Sequence, residues 1–146
     1  MPYNIITFGK KRKNLKKAIE CQTIGSFLTT VQDYLDKDST IFLHCESKIW
    51  GAAKVNSNYF CDKTTIWDDK VYPHRFLISE IKLTDDPISL TNGIYNVELR
   101  SSFGVGWAYK FLFSPKPLPA DIGEKIEKDF VSRRPIEVSA FLEKYV

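Results

Sequence analysis

Several features that would assign a chain to a familiar class are absent from this sequence. No stretch of the 146 residues approaches the ~18 consecutive apolar residues that a membrane span requires. The first residues, through Lys17, also lack the long apolar run of a signal peptide. We therefore expect no membrane contact and a cytoplasmic location.

Cysteine and histidine are scarce. Cys21, Cys45 and Cys61 form no C-x-x-C pair, and an odd number of cysteines is typical of reduced thiols rather than of a disulfide framework. His44 and His74 stand at no spacing that indicates a mixed Cys/His metal site. We expect the thiols to pack as small hydrophobes, and we expect neither a metal nor a cofactor.

Catalytic motifs are missing as well. The chain has no G-x-S-x-G elbow, no Walker-type phosphate loop, no dinucleotide fingerprint and no H-E-x-x-H motif. Asp68 and Asp69 are adjacent, so in an extended chain they point to opposite faces and do not form an acid/base pair. We predict that the protein is not an enzyme, although residues distant in sequence can assemble a site, which leaves a nucleotide-acting enzyme as an alternative.

The positive charge is concentrated at one end. The net charge is +3. The first 17 residues contain no acidic residue but six basic ones: Lys10, Lys11, Arg12, Lys13, Lys16 and Lys17. Four consecutive basic residues can bind phosphate oxygens, which would make binding depend on salt. The other interpretation is a solvated turn kept soluble by its charge.

The first half of the chain alternates between short apolar runs and polar turns. We predict a strand over residues 3–8, an amphipathic helix from Asn14, and a second helix carrying Phe27, Val31 and Leu35 with Ser26 as its N-cap. Residues 40–45 predict a strand buried on both faces, and residues 49–55 predict its hairpin partner. The run Gly51-Ala52-Ala53 indicates close approach of a neighbouring backbone.

The second half begins with a polar loop over residues 62–69, in which Trp67 is the large apolar residue. We predict a strand over residues 75–83 that ends at Asp85-Asp86-Pro87, a short strand over residues 95–99, and a flexible approach through Gly104 and Gly106 to the apolar residues 107–113. Residues 114–119 break structure because of their prolines. Helices are predicted over residues 121–130 and 138–145.

This arrangement predicts an α+β fold. Five or six strands with peripheral helices favour a small mixed sheet that curls into a partly closed β-barrel. The sequence contains no internal repeat and no convincing linker, so we expect residues 1–146 to form a single domain.

The order of motifs resembles the EVE domain of the PUA-like superfamily, a relative of the YTH readers. The basic loop and first helix are followed by Thr23-Ile24-Gly25-Ser26, by the strand pair, and by the segment Ile66-Trp67-Asp68-Asp69-Lys70-Val71-Tyr72-Pro73-His74-Arg75-Phe76. The pattern W-D-D-x-x-Y-P-x-R in that segment is the most specific part. The resemblance covers residues 1 to about 90 in order and extends less distinctly through Lys128.

The resemblance implies a PUA-like barrel with a pocket for one nucleobase, which is a modified base in the better understood relatives. Aromatic faces would stack on the base, and polar groups would bind its edge. A methylated base would add surface that an aromatic cage holds well. By this resemblance Trp67 matches the cage tryptophan, and the base-pocket residues are Trp67, Ser26, Ile24, Gly25, Asn14, Tyr72 and Arg75.

Some of these assignments have alternatives. The resemblance places Lys10, Lys11, Arg12 and Lys13 beside the phosphates that flank the base. Asn14 would either bind a base edge or cap a helix. Arg75 would either follow the pocket pattern or pair with Asp68 or Asp69 to hold the loop. The other interpretation of Asp68 and Asp69 is that they solvate the loop or pair with Lys70.

The sequence departs from the relatives at one wall of the pocket. They commonly have tryptophan where this chain has Ile24-Gly25, so a second ring would have to come from Phe27, Trp50 or Trp107, or the pocket prefers another ligand. For the two tryptophans, burial against the sheet is the competing interpretation.

Taken together, these observations predict a non-catalytic domain that binds nucleic acid, either DNA or RNA, by capturing a single base. The main alternative is a small-molecule-sensing or regulatory interaction domain on the same fold.

Overall fold

The structure is a computed structural model that describes residues 2–91, 93–107 and 115–145. The predicted apolar segment 107–113 lies outside these residues except for Trp107. Seven strands are present in the described part: β1 (Tyr3–Thr7), β2 (Thr23–Ser26), β3 (Thr40–Cys45), β4 (Lys48–Val55), β5 (Phe60–Cys61), β6 (His74–Ser89) and β7 (Pro135–Ile136). The same part contains four α-helices: α1 (Arg12–Cys21), α2 (Gly93–Phe103), α3 (Ala120–Ser132) and α4 (Val138–Tyr145).

The strands form one curled mixed sheet in the order β1-β3-β4-β6-β2. β1 is parallel to β3, the other neighbours are antiparallel, and the short strands β5 and β7 both pair with β6. β1 and β2 are the two ends of this path, so the barrel is open between them. The predicted α+β fold with a partly closed barrel and peripheral helices is therefore confirmed.

β3 is the central strand of the core. All six of its residues are buried, as predicted. Leu43 faces one apolar cluster inside the barrel, whereas Phe42 faces a second cluster on the outer side of the sheet, formed with α2 and α3. The close approach predicted at Gly51 is also present, because a Cβ added there would stand 2.7 Å from the carbonyl oxygen of Lys82.

Three of the predicted helices are confirmed. The apolar residues of α1, among them Leu15 and Ile19, pack into the barrel cluster, and so does Phe141 of α4. The face of α3 that carries Ile122 and Ile126 packs against the outer cluster. No helix in the described residues is both long and apolar enough to cross a membrane.

The helix predicted over residues 27–35 is wrong. Residues Thr23–Ser26 pair with β6 as a strand, and only Thr29–Asp33 forms a short 3₁₀ helix. Ser26 therefore ends β2, and its hydroxyl accepts a hydrogen bond from the amide of Leu28 (3.1 Å) instead of capping a helix. The β-branched run Thr29-Thr30-Val31 disfavours a regular α-helix, which the apolar spacing alone did not reveal.

The strand predicted over residues 95–99 is also wrong, because this segment lies in helix α2. Tyr95, Leu99 and Phe103 stand four residues apart and pack on the outer cluster, with Leu99 fully buried. Their spacing is helical, and it outweighs the strand propensity of the individual residues.

β6 does not end at Asp85-Asp86-Pro87 but continues to Ser89. The two carboxylates are paired with neighbouring arginines: Arg134 donates to Asp85 (2.9 Å), and Arg133 lies 3.4 Å from Asp86. Beyond Pro87 the strand is held by pairing with β4. Tertiary pairing therefore carries the strand through residues that would usually end it.

Candidate functional site

A cavity of about 420 Å³ opens in the gap between the two end strands, β1 and β2. Its inner wall is apolar, and charged side chains stand at its mouth. The described residues that line it come from β1 and the following loop, α1, β2 and the segment after it, the loop before β6, β6 itself and the segment before α3: Ile6, Thr7, Phe8, Gly9, Lys10, Lys11, Asn14, Ile24, Gly25, Ser26, Phe27, Val31, Trp67, Lys70, Tyr72, His74, Phe76 and Pro115.

Trp67 forms part of the cavity wall, although only 3% of the residue is exposed. Its indole nitrogen donates a hydrogen bond to the carbonyl oxygen of Asn14 in α1 (3.1 Å). The ring of Tyr72 meets the indole edge-on at 5.4 Å between centroids, and the guanidinium carbon of Arg75 lies 5.5 Å from the indole centroid. The indole is therefore fixed in position before any ligand arrives.

Gly25 makes room for this indole. A Cβ added at Gly25 would stand 2.9 Å from two ring carbons of Trp67 and 2.8 Å from the carbonyl oxygen of Tyr72. Gly25 is one of the two residues of the turn Ile24-Gly25, where the resemblance places a tryptophan in the EVE relatives. It is in direct contact with Trp67, and any side chain at Gly25 would displace the ring.

Asp69 is a polar hub beside the cavity that the sequence did not identify. Its carboxylate accepts hydrogen bonds from the ammonium of Lys11 (2.9 Å), the hydroxyl of Tyr72 (2.7 Å) and the side-chain amide of Asn14 (3.2 Å). Burial would raise the pKa of Asp69, but these hydrogen bonds outweigh it and hold the pKa at about 2. The expected pairing of Asp69 with Lys70 or Arg75 is therefore wrong.

Asn14 is not the N-cap of a helix, which was one of its two predicted roles. α1 begins at Arg12, so Asn14 lies inside the helix and its side chain is bonded to Asp69. It lines the cavity nevertheless.

Arg75 lies behind the site and is only 1% exposed. Its guanidinium donates to the carbonyl oxygen of Tyr72 (2.9 Å) and to the hydroxyl and carbonyl oxygens of Thr64, and it lies 3.7 Å from Asp62. The suggested partners Asp68 and Asp69 are thus replaced by Asp62 and backbone oxygens. Arg75 is not among the lining residues, and it holds together the loop that carries Trp67.

The four consecutive basic residues do not lie together, because Arg12 and Lys13 belong to helix α1. Lys10 and Lys11 line the cavity, and Lys70 joins them from the opposite loop. Arg12 pairs instead with Glu46 and donates to the carbonyl oxygen of Tyr145 (3.2 Å). Lys13 is exposed on α1 and is not among the lining residues.

Of the three rings considered for a second wall, Phe27 is the one that lines the cavity. It is 43% exposed, its ring lies 6.4 Å from that of Tyr72, and the ammonium of Lys70 stands 5.2 Å from its centroid. Trp50 is packed against Phe141 in the barrel cluster, and Trp107 belongs to the outer cluster.

The two histidines have different surroundings. His44 is buried, and its Nδ1 lies 2.9 Å from the hydroxyl of Thr7, as expected for a hydrogen-bonded histidine in an apolar strand. Burial lowers its pKa to about 4. His74 lines the cavity and is held by Tyr59, whose hydroxyl lies 2.6 Å from its Nδ1.

The three cysteines are free thiols, as expected, but Cys21 and Cys61 are exposed, so the prediction that the thiols pack as small hydrophobes is wrong for these two. Cys45 is buried, and burial raises its pKa to about 11, with Glu46 contributing. A thiol in this state is not a nucleophile at neutral pH.

No protein-family model and no curated protein matches the sequence. Solved structures match the fold. The YTH domain of the Zygosaccharomyces rouxii MRB1 protein in complex with N6-methyladenosine RNA is 18% identical with a TM-score of 0.56, covering 88% of this chain and 86% of that chain. The YTH domain-containing protein mmi1 with RNA is 10% identical with a TM-score of 0.60, covering 90% and 87%.

The Toxoplasma CPSF4-YTH domain in its apo form is 8% identical with a TM-score of 0.58, covering 94% of this chain and 91% of that chain. At these identities the likeness is one of fold. The chain therefore has the fold of YTH domains, which agrees with the predicted relation to that group, and assignment to the EVE domains stays a prediction.

Proposed function

We propose that this protein is a non-catalytic RNA-binding domain that captures a single modified base in the cavity beside Trp67. The observation that carries the proposal is the cavity itself, about 420 Å³ in volume, with an indole in its wall and lysines at its mouth. Two structures of the same fold were solved with RNA, one of them containing N6-methyladenosine. The cavity also suits the PUA-like, EVE-type domain that the sequence motifs predict.

A captured base would stack on the part of the Trp67 indole that lines the cavity, since Tyr72, Arg75 and Gly25 already contact the rest of the ring. An aromatic side chain that stacks on a base contributes roughly 1–3 kcal/mol, and it does so without reading sequence. Trp67 is held by Asn14 and Tyr72, so little conformational entropy is lost when a planar ring settles against it. Phe27 stands on the other side of the mouth as a second apolar surface.

The charged mouth suits the phosphates on either side of a captured base. Lys10, Lys11 and Lys70 are all close to the opening, and Lys11 is kept in place by Asp69. Ammonium groups of this kind bind phosphate oxygens and release counterions, so affinity should fall steeply as salt is raised.

A free small molecule is the second candidate, because the cavity volume lies within the range of roughly 300–1,000 Å³ that small-ligand pockets occupy. The salt dependence separates the two. An oligonucleotide held through phosphates gives a steep salt slope, and a neutral metabolite gives almost none.

The proposal is tested by fluorescence anisotropy with short oligonucleotides that differ at one adenine. N6-methyladenosine RNA should bind more tightly than unmodified RNA and than DNA of the same sequence. Trp67→Ala, checked for folding by circular dichroism, should weaken this binding by at least about 1 kcal/mol. Trp50→Phe is the control, since Trp50 lies outside the cavity. Equal binding by the folded Trp67→Ala variant would contradict the proposal.

A further inference from the structure

We infer that the captured base carries an apolar substituent longer than a methyl group, and that this substituent fills the inner end of the cavity. The inference rests on the proposed function and concerns the same site. It follows from the contrast between a basic mouth and an apolar interior.

The inner wall belongs to the barrel core. Ile24, Val31 and Phe76 are each between 2% and 5% exposed, and they are members of the barrel cluster. Ile6 of β1 and Phe8, directly after that strand, pack against the cluster. The cavity therefore does not stop at the aromatic residues near the surface but reaches into the interior of the barrel through the gap between β1 and β2.

Two polar side chains of the cavity lining, Thr7 and His74, already have partners. The hydroxyl of Thr7 accepts a hydrogen bond from the amide of Gly9 (3.1 Å) and contacts His44 Nδ1 (2.9 Å). His74 is bonded through Nδ1 to the hydroxyl of Tyr59 (2.6 Å). A polar substituent would lose water on entering this space and would find few groups to replace it.

At the second wall Ile24 lines the cavity, whereas the space over Gly25 is already filled by the indole of Trp67. A base with a single methyl group is smaller than the ligands that pockets of roughly 300–1,000 Å³ usually enclose. It would leave apolar space unfilled, whereas protein interiors and tight sites are close-packed.

A longer alkyl or alkenyl group on the exocyclic nitrogen of adenine would fill that space. Each additional buried carbon is worth roughly fourfold in affinity at the usual transfer energy of a methylene group. The base ring would remain beside Trp67, and the flanking phosphates would remain beside Lys10 and Lys11.

The experiment compares one short oligoribonucleotide with four versions of its central adenosine: unmodified, N6-methyl, N6-isopentenyl and N6-(3-carboxypropyl). Affinities are measured by anisotropy with the full chain. We expect the isopentenyl form to bind at least about tenfold more tightly than the methyl form, as burial of several carbons requires. The carboxypropyl form, similar in length but charged, should bind no more tightly than the unmodified one.

Two results separate this inference from the proposed function. If the methyl form binds in a manner that depends on Trp67 and the isopentenyl form binds equally or less well, the inference is overturned and the proposed function stands. If none of the four oligonucleotides binds, both are overturned.

A variant locates the substituent. Val31→Phe adds bulk to the inner wall and should abolish the preference for isopentenyl over methyl, whereas Val97→Phe, on an exposed position of α2 (67% exposed), should leave it unchanged. A preference that survives in folded Val31→Phe protein would place the substituent elsewhere and overturn the inference. If Val31→Phe does not fold, the four-ligand series decides alone.

Discussion

Gly25 and Trp67 are in such close contact that an added Cβ at Gly25 would stand 2.9 Å from the indole ring. This contact explains why position 25 itself carries no ring. An aromatic side chain at position 25 and the observed position of Trp67 exclude each other. The sheet edge at β2 and the loop before β6 are thereby joined into one wall.

Gly25→Ala tests this contact. The added methyl group must displace the indole or the carbonyl of Tyr72, so we expect a loss of about 1–3 kcal/mol in the free energy of unfolding and weaker oligonucleotide binding. Gly106→Ala is the matched control, because among the described residues no atom beyond its chain neighbours lies within 4 Å of a Cβ added there. Urea unfolding measures both, and an unchanged Gly25→Ala protein would contradict the contact.

The hydrogen bond of Trp67 can be separated from its place in the cavity. Trp67→Phe and Trp50→Phe each remove an indole that donates to a backbone carbonyl at 3.1 Å. Each should lower the free energy of unfolding by about 1–3 kcal/mol, since a carbonyl loses its partner. Only Trp67→Phe should also weaken RNA binding. If both variants bind alike, Trp67 acts only through stability.

The basic residues should differ in their effect on salt dependence. Lys10 lines the cavity, whereas Arg12 is paired with Glu46 away from it. Lys10→Gln should reduce the slope of log affinity against log salt by about 0.7, the contribution of one phosphate contact to a single strand. Arg12→Gln should change the slope much less. Anisotropy titrations at several salt concentrations measure it, and equal slopes for the two variants would contradict the assignment.

The lowered pKa of His44 predicts that the protein loses stability in mild acid. Its pKa of about 4 in the folded protein lies below the ordinary value of 6.5, so folding favours the neutral imidazole. This preference contributes about 3 kcal/mol to the free energy of unfolding. The contribution is complete above pH 6.5 and is lost as the pH falls toward 4. Urea unfolding across this range should show it in the wild type and not in His44→Leu. A flat wild-type profile would contradict the burial of a neutral histidine.

Asp69 should affect stability in a more acidic pH range. Its pKa in the folded protein, about 2, lies below the usual 3.8, so its hydrogen bonds stabilise the fold above pH 4 and are lost between pH 4 and pH 2. The side chain is 30% exposed, so screening limits the contribution to about 1 kcal/mol. Asp69→Asn should remove this part of the acid sensitivity. If the variant loses stability over this window as the wild type does, the three hydrogen bonds do not control it.

The sequence was sufficient for the parts of the fold that local pattern determines. The buried run of β3 and the apolar faces of α1 and α3 follow from periodicity alone. β2 could not be found in this way. Its pairing with β6 depends on residues about fifty positions later, and the apolar spacing of residues 27–35 is as regular as that of a helix.

Part of the site could also be predicted from local sequence motifs. Of the residues named from the motif around Trp67 and the basic run, Trp67, Tyr72, Lys10 and Lys11 line one cavity, whereas Arg75, Arg12 and Lys13 are not among its lining residues. Asp69 and the inner wall of Val31 and Phe76 were not identified, because their role arises from the gap between β1 and β2. That gap is a property of the curled sheet and of no single segment.

The most direct measurement is a crystal structure of the protein with a short RNA that carries one N6-alkylated adenosine. We expect the modified base to lie inside the cavity with its ring against Trp67 and its flanking phosphates near Lys10 and Lys11. An RNA bound on another surface, with the cavity empty, would contradict base capture at this site.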